Sequence, residues 1–209
     1  MITVNPFVDN VLNIAPAYIQ GFLILMVIFT IGGVILDMMH KKNVKFFFNN
    51  AKKAKLSATK SVSTGEKTAI IVKTLAHDVA TSAEFCGVTR RITHLLGMYG
   101  TILFWVSSAV MIFSASSAST IYPMLWHIGA IMTCVGGYWF WFIQRVDVRA
   151  EGNSWSRIVF ADLFVLSLVG TSTLGLLWSY FQSANSIGFA TLFFVMFIIS
   201  NVILFGGVY

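Results

Sequence analysis

The side chains best equipped for chemistry in this sequence are four histidines, His40, His77, His94 and His127. Two fall inside long apolar runs: His94 in RRITHLLGMYGTILFW and His127 in YPMLWHIGAIM. An ionisable group in such a run is a functional candidate by default, because hydrocarbon solvates it poorly. Imidazole also ligates metals and the iron of haem b, so the four histidines form the candidate ligand set. One haem clamped between His94 and His127 fails on distance. On antiparallel helices the two lie near opposite faces of a membrane, roughly 20–25 Å apart at 1.5 Å per residue. Two axial nitrogens stand only ~4 Å apart, at ~2 Å per metal–nitrogen bond. His94 would need His40, His77 or another subunit as its partner; His127 has only Met111 or Met124 on its side. The alternative for both is a hydrogen bond to a neighbouring helix.

Asp162 is the acidic residue expected well inside a span, about 7–8 Å beyond Arg157 along a helix. A carboxylate there must be paired, hydrogen-bonded or protonated. Arg91, Arg145 and His94 are its expected neighbours. Two readings stand: a structural ion pair, or a group that orients a haem-ligating His94, with Arg91 or Arg145 on the propionates, or that takes part in quinone protonation. Cys86 and Cys134 form no CxxC pair, so no iron–sulfur or zinc site is indicated.

These residues must be held by membrane helices. The chain has 209 residues, 57% hydrophobic, 15% aromatic and only 11% charged. A soluble domain carries about 25% charged residues, and disorder demands far less apolar content. Residues 92–144 and 163–209 contain no Asp, Glu, Lys or Arg. Each has room for two crossings of ~20 residues. With the run at 16–37 this predicts an all-α membrane protein of five spans: 16–37, 93–115, 122–144, 158–180 and 186–208. The organisation is then an outside N-terminus with helix 1 (1–37), a basic segment (38–91) and a four-helix domain (92–209). All 14 Lys and Arg fall in 38–91 and 145–157, which places those segments and the C-terminus in the cytoplasm. The net charge of +6 therefore reports topology and needs no nucleic acid.

In the basic segment, residues 43–56 mix Phe46, Phe47 and Phe48 with lysines, the pattern of a helix lying on a membrane surface. Residues 63–85 open with Ser63-x-x-Glu66, a capping box, and continue with Ile71, Leu75 and Val79 at helical spacing. This stretch is expected to pack on the membrane domain or a partner subunit. The run Tyr138–Phe142 reads as an interfacial aromatic belt. Gly97/Gly100, Gly136/Gly137 and Gly206/Gly207 read as sites of close helix approach. No repeat or broken helix pair suggests a transporter.

From Asp78 to Gln182 the sequence resembles the haem-b membrane subunits of the nitrate-reductase gamma type, above all those of quinone-interacting oxidoreductases and heterodisulfide reductase. Asp78, Phe85, Cys86, Arg91, His94, Tyr99 and Gly100 carry the first match. The Gly-rich helix ending in Arg145 carries the second, and Ser156, Asp162, Phe164, Thr173 and Gly175 the third. The resemblance implies a cytochrome-b-like subunit passing electrons between quinone and a partner redox subunit, with His94 at a haem-ligand position. It departs at the last helix, which has no histidine to supply the family's partner ligands. That implies lost haems, sites completed by other chains or residues past 209, or a haem-free accessory subunit. Such a subunit would anchor a larger complex such as a copper monooxygenase or a respiratory complex.

Overall fold

A computed structural model describes residues 2–206 apart from 9, 60, 61, 86, 115 and 116, with only the backbone of Asn43 and Asp147. All regular structure among the described residues is helical. The elements are α1 (Pro16–Lys41), α2 (Asn43–Leu56), α3 (Thr64–Thr74), α4 (Val88–Ser114), α5 (Ile121–Trp139), α6 (Val146–Arg149), α7 (Asp162–Ser183) and α8 (Ile187–Gly206). π turns extend α3 through Leu75–Val79 and α5 through Phe140–Gln144.

Four of these helices, α1, α4, α7 and α8, are long and apolar enough to cross a membrane. The run expected at 122–144 folds as α5 and its π turn, wedged between α4 and α7. His127, Thr133 and glycines occupy its faces. Two boundaries move. Helix α4 starts at Val88, ahead of the expected 93, and takes Arg90 and Arg91 into its first turn. Helix α7 starts at Asp162 itself, so this residue opens the helix and does not lie deep in it. The carboxylate accepts from the Val159 amide at 2.9 Å and favours the helix N-terminus electrostatically.

Between α4 and α5 the packing is backbone on backbone. A Cβ added at Gly100 would lie 2.6 Å from the Thr133 amide nitrogen, and one at Gly129 would lie 2.6 Å from that of Phe104. One at Gly136 would lie 2.7 Å from the Gly97 nitrogen. Gly137 faces the other way, onto Val169 of α7. Gly97 itself points into open space, as does Gly206; Gly207 lies outside the described residues. A hydroxyl ladder joins α7 to α8: Thr171 donates to Ser200 Oγ, and Ser200 donates to the Ser167 carbonyl, each at 2.9 Å.

The N-terminal segment closes the bundle end opposite the lysines. Asn5 donates to the Met111 carbonyl at 3.1 Å, Gln182 to that of Pro6 at 2.9 Å, and Gln20 to that of Ile112 at 3.1 Å. Phe7 sits edge-on to Trp178 and Trp126, with ring centroids 5.4 and 6.1 Å away. At the other end, α2 packs mainly against α1 and α3 lies against its own π turn. The capping box forms as expected: the Ser63 amide donates to Glu66 at 2.8 Å and the Glu66 amide to Ser63 Oγ at 3.3 Å. The expected packing of this segment on the membrane domain is confined to its last residues, 80–85, because Ile71, Leu75 and Val79 all remain exposed.

The glycine contacts make a paired prediction. Gly136→Leu should lower stability by about 3 kcal/mol or more through overpacking against backbone. Gly97→Ala should be neutral or stabilise by up to about 1 kcal/mol through helix propensity. Thermal unfolding of the detergent-solubilised chain checks both; equal losses for the two variants would contradict the geometry.

Candidate functional site

The residues singled out by chemistry gather in three places. At the lysine-bearing end, Arg145 stops the π turn of α5 with extended backbone (ψ 132°). Its side chain is 5% exposed. Arg145 Nη1 stands 3.3 Å from Asp162 Oδ2, and its other terminal nitrogen donates to the Arg157 carbonyl. The guanidinium carbon lies 4.3 Å from the centre of the Trp141 ring, which makes a cation–π contact. Of the three neighbours expected for Asp162, the structure brings Arg145. The ion pair fastens the end of α5 to the start of α7 across the 145–161 connection. The aromatic belt is split: Trp141 is buried beneath Arg145, while Tyr138 and Phe142 are exposed and stack with centroids 6.2 Å apart.

The second place is the start of α4, where three side chains grip the strap Ala80–Ser82. Tyr99 donates to the Ala80 carbonyl and Arg91 Nε to that of Thr81, both at 2.7 Å. His94 Nδ1 shares a 2.8 Å hydrogen bond with Ser82 Oγ. Ser82 is 1% exposed and takes a left-handed conformation (φ 51°), so the strap is anchored at Ser82 while Ala80 and Thr81 stay exposed. The Phe85 ring lies 4.7 Å from the imidazole. His94 itself faces outward. Its Nε2 has no hydrogen-bond partner among the described residues. Cys86 lies outside those residues.

The third place is the closed end. His127 is 3% exposed. Its Nδ1 donates to the Pro123 carbonyl at 2.7 Å, and Nε2 meets Ser179 Oγ of α7 at 2.9 Å. A carbonyl only accepts, so the neutral ring carries its proton on Nδ1 and Nε2 accepts from the serine. Both nitrogens are spent inside the fold, which realises the hydrogen-bonding alternative for this residue. Met124 is turned outward at 42% exposure. Met111 is fully buried beside the aromatic cluster of Trp126, Trp178 and Phe104.

The remaining histidines are dispersed. His40 is exposed in the last turn of α1, and His77 pairs with Asp78 at 2.8 Å in the π turn after α3. No three His, Cys, Asp or Glu side chains among the described residues converge as a metal-binding group. Trp126, next to His127, donates to Ser108 Oγ of α4 at 2.8 Å. His94 precedes Ser108 by fourteen residues, so the two imidazoles are about 21 Å apart along the bundle. Sequence reasoning missed Ser179, Ser108, Trp178 and Phe7. The available signal was the set of lone hydroxyls and tryptophans within the charge-free blocks, at matching depth on antiparallel helices.

Comparison with known proteins gives no matching family model, no matching curated protein and no matching solved structure.

Removing the Asp162 carboxylate strands a buried guanidinium. Asp162→Ala should therefore cost about 3 kcal/mol, the scale for breaking a buried pair, whereas Ser179→Ala should cost about 1–2 kcal/mol for one unmade buried hydrogen bond. Thermal unfolding of both variants tests this order. A D162A protein as stable as the parent would mean the α5–α7 latch carries no weight.

Proposed function

We propose that this chain is a membrane-embedded scaffold subunit, without haem of its own, that anchors a larger oxidoreductase complex. It spans the bilayer five times, with the N-terminus outside and the basic segment and C-terminus in the cytoplasm. The observation that carries this reading is the state of His127. It is the imidazole enclosed by the bundle, and both its nitrogens tie α5 to itself and to α7. Trp126, Trp178, Phe104 and Met111 fill the space around it, each 2% exposed or less. A haem-free interior is supported by this packing, in which both nitrogens of His127 are hydrogen-bonded. The orientation is supported by the lysines and arginines, which flank the ends of α1 and α5 and the starts of α4 and α7. The Arg145–Asp162 pair joins two of those ends directly. An oxidoreductase as the parent complex follows from the resemblance of residues 78–182, with a copper monooxygenase or respiratory complex as the class of assembly.

One observation favours a second reading, an electron carrier passing charge between quinone and a partner redox subunit. His94 has one ring nitrogen fixed by Ser82 and the other unengaged on the outer face. That is how a ligating imidazole is oriented by its outer hydrogen bond. A haem b there would lie between subunits, with its second ligand from another chain.

The two readings separate in one experiment. The native complex is purified from membranes through a tag on this chain, and its reduced-minus-oxidised visible spectrum is recorded for the parent and for His94→Ala. A scaffold subunit gives a complex of unchanged subunit composition and unchanged spectrum in the variant. A b-type alpha band that disappears with His94 would replace the scaffold reading with the electron carrier.

A further inference from the structure

Helix α1 buries only Ile19 and Met26, both in its first half. Beyond Met26 it separates from the bundle and leaves a wedge against α7 and α8, a cavity of about 800 Å³. Its walls are apolar: Phe29, Gly33 and Leu36 on α1 face Phe164 of α7 and Val202 and Phe205 of α8. At the rim the lining ends in Asp37 and Met38, and the Asp37 carboxylate holds Lys41 Nζ at 2.7 Å. Lys42 then ends α1 in a left-handed conformation (φ 53°) and Lys45 follows in the first turn of α2. From 38 to 65 the sequence has seven lysines and no acidic residue. The wedge is therefore an oily slot opening at hydrocarbon depth beneath a strongly positive rim.

We propose that the α1–α7–α8 wedge is a binding site for an anionic phospholipid, its acyl chain in the slot and its phosphate between Lys42 and Lys45. Charge complementarity selects this occupant. Lys41 is neutralised by Asp37, but Lys42 and Lys45 have no carboxylate to answer them among the described residues, and a basic residue at the headgroup level favours an anionic lipid by roughly 1 kcal/mol. A neutral quinone or an apolar partner helix would fill the slot and gain nothing from the rim. The exposed Phe46, Phe47 and Phe48 at the start of α2 (65–69% exposed) are placed to enter the same interface, which keeps the lysines at phosphate level.

The test uses the full chain in detergent, offered equal amounts of phosphatidylglycerol and phosphatidylcholine with the same acyl chains. Retained lipid is read by native mass spectrometry. The parent should keep phosphatidylglycerol over phosphatidylcholine by roughly fivefold for each lysine. Lys42→Asn with Lys45→Gln should erase that preference while lipid is still retained; Asn accepts the left-handed conformation at 42. Gly33→Phe should expel both lipids, since a Cβ at Gly33 meets nothing within 4 Å and the ring can fill the slot without disturbing the fold. Equal retention of the two lipids by the parent overturns the proposal. So does undiminished phosphatidylglycerol on the double lysine variant, or on G33F. A crosslinker placed at position 33 that captures a quinone or a partner helix in native membranes overturns it too. If G33F proves unstable, the double lysine variant decides alone.

Discussion

Gly100, Gly129 and Gly136 let α4 and α5 approach until backbone touches backbone, and the rest of the bundle is laid out on that distance. Within a bilayer the hydrophobic effect does not drive helices together, because lipid tails are as apolar as leucine. Close packing and interhelical hydrogen bonds do that work. Once α5 is seated on α4, Trp126 reaches Ser108, Gly137 turns toward Val169 of α7, and His127 is aimed at Ser179. The helix that carries His127, Thr133 and three glycines therefore sits between α4 and α7. Its glycines and hydrogen-bonding side chains would be poorly placed against lipid.

At the two ends of the bundle, polar side chains do what the glycines do in the middle. At one end Arg145, Asp162 and Trp141 join α5 to α7, and Arg91, His94 and Tyr99 hold the strap 80–82 against α4. At the other, Asn5, Gln20 and Gln182 bind carbonyls on neighbouring segments while Phe7 plugs the aromatic cluster. His94 bonds to the Ser82 hydroxyl, and the other hydrogen-bonding and charged groups here bond to backbone or to an opposite charge. This satisfies carbonyls and side chains that would otherwise be stranded near hydrocarbon. Between the ends, hydroxyls carry the interhelical bonds, as in the Thr171–Ser200–Ser167 ladder between α7 and α8.

What could be read from the sequence followed from properties that act along the chain. Charge-free blocks identified the helices, and the Ser63–Glu66 spacing identified a cap. Asp162 and Arg145 could be named as partners because both lie at the basic end. Properties that act between helices were not legible. Gly97 and Gly100 look alike in sequence, yet one faces open space and the other a backbone nitrogen; they lie about 60° apart around the helix, and only the position of α5 decides which meets backbone. His127 reads as a ligand because its own helix accounts for only one ring nitrogen, through the Pro123 carbonyl, and leaves the other without a partner in sight. Its partner is 52 residues away on α7. The start of α7 was misplaced for a related reason. Apolarity runs continuously from Ile158, and it is the Asp162 carboxylate, accepting the Val159 amide and meeting Arg145, that fixes where the helix begins.

The same comparison separates His94 from the other three imidazoles. His127 is consumed, His40 and His77 lie on exposed surface outside the packed bundle, and His94 alone combines a fixed ring with an open nitrogen on a helix that enters the core. Its fixation has a structural cause that requires no ligand: the strap 80–82 must return from the exposed α3 to α4, and Ser82, in its left-handed conformation, needs a partner for its hydroxyl. The orientation that suits a metal is therefore also the orientation that closes the strap. A conservative change separates the two roles. His94→Gln keeps a polar group in reach of Ser82 and should preserve the strap, but it supplies no imidazole. Loss of a haem spectrum in H94Q with unchanged thermal stability would assign ligation to His94, whereas parallel loss of stability and complex yield in H94A, rescued in H94Q, would assign it to the strap.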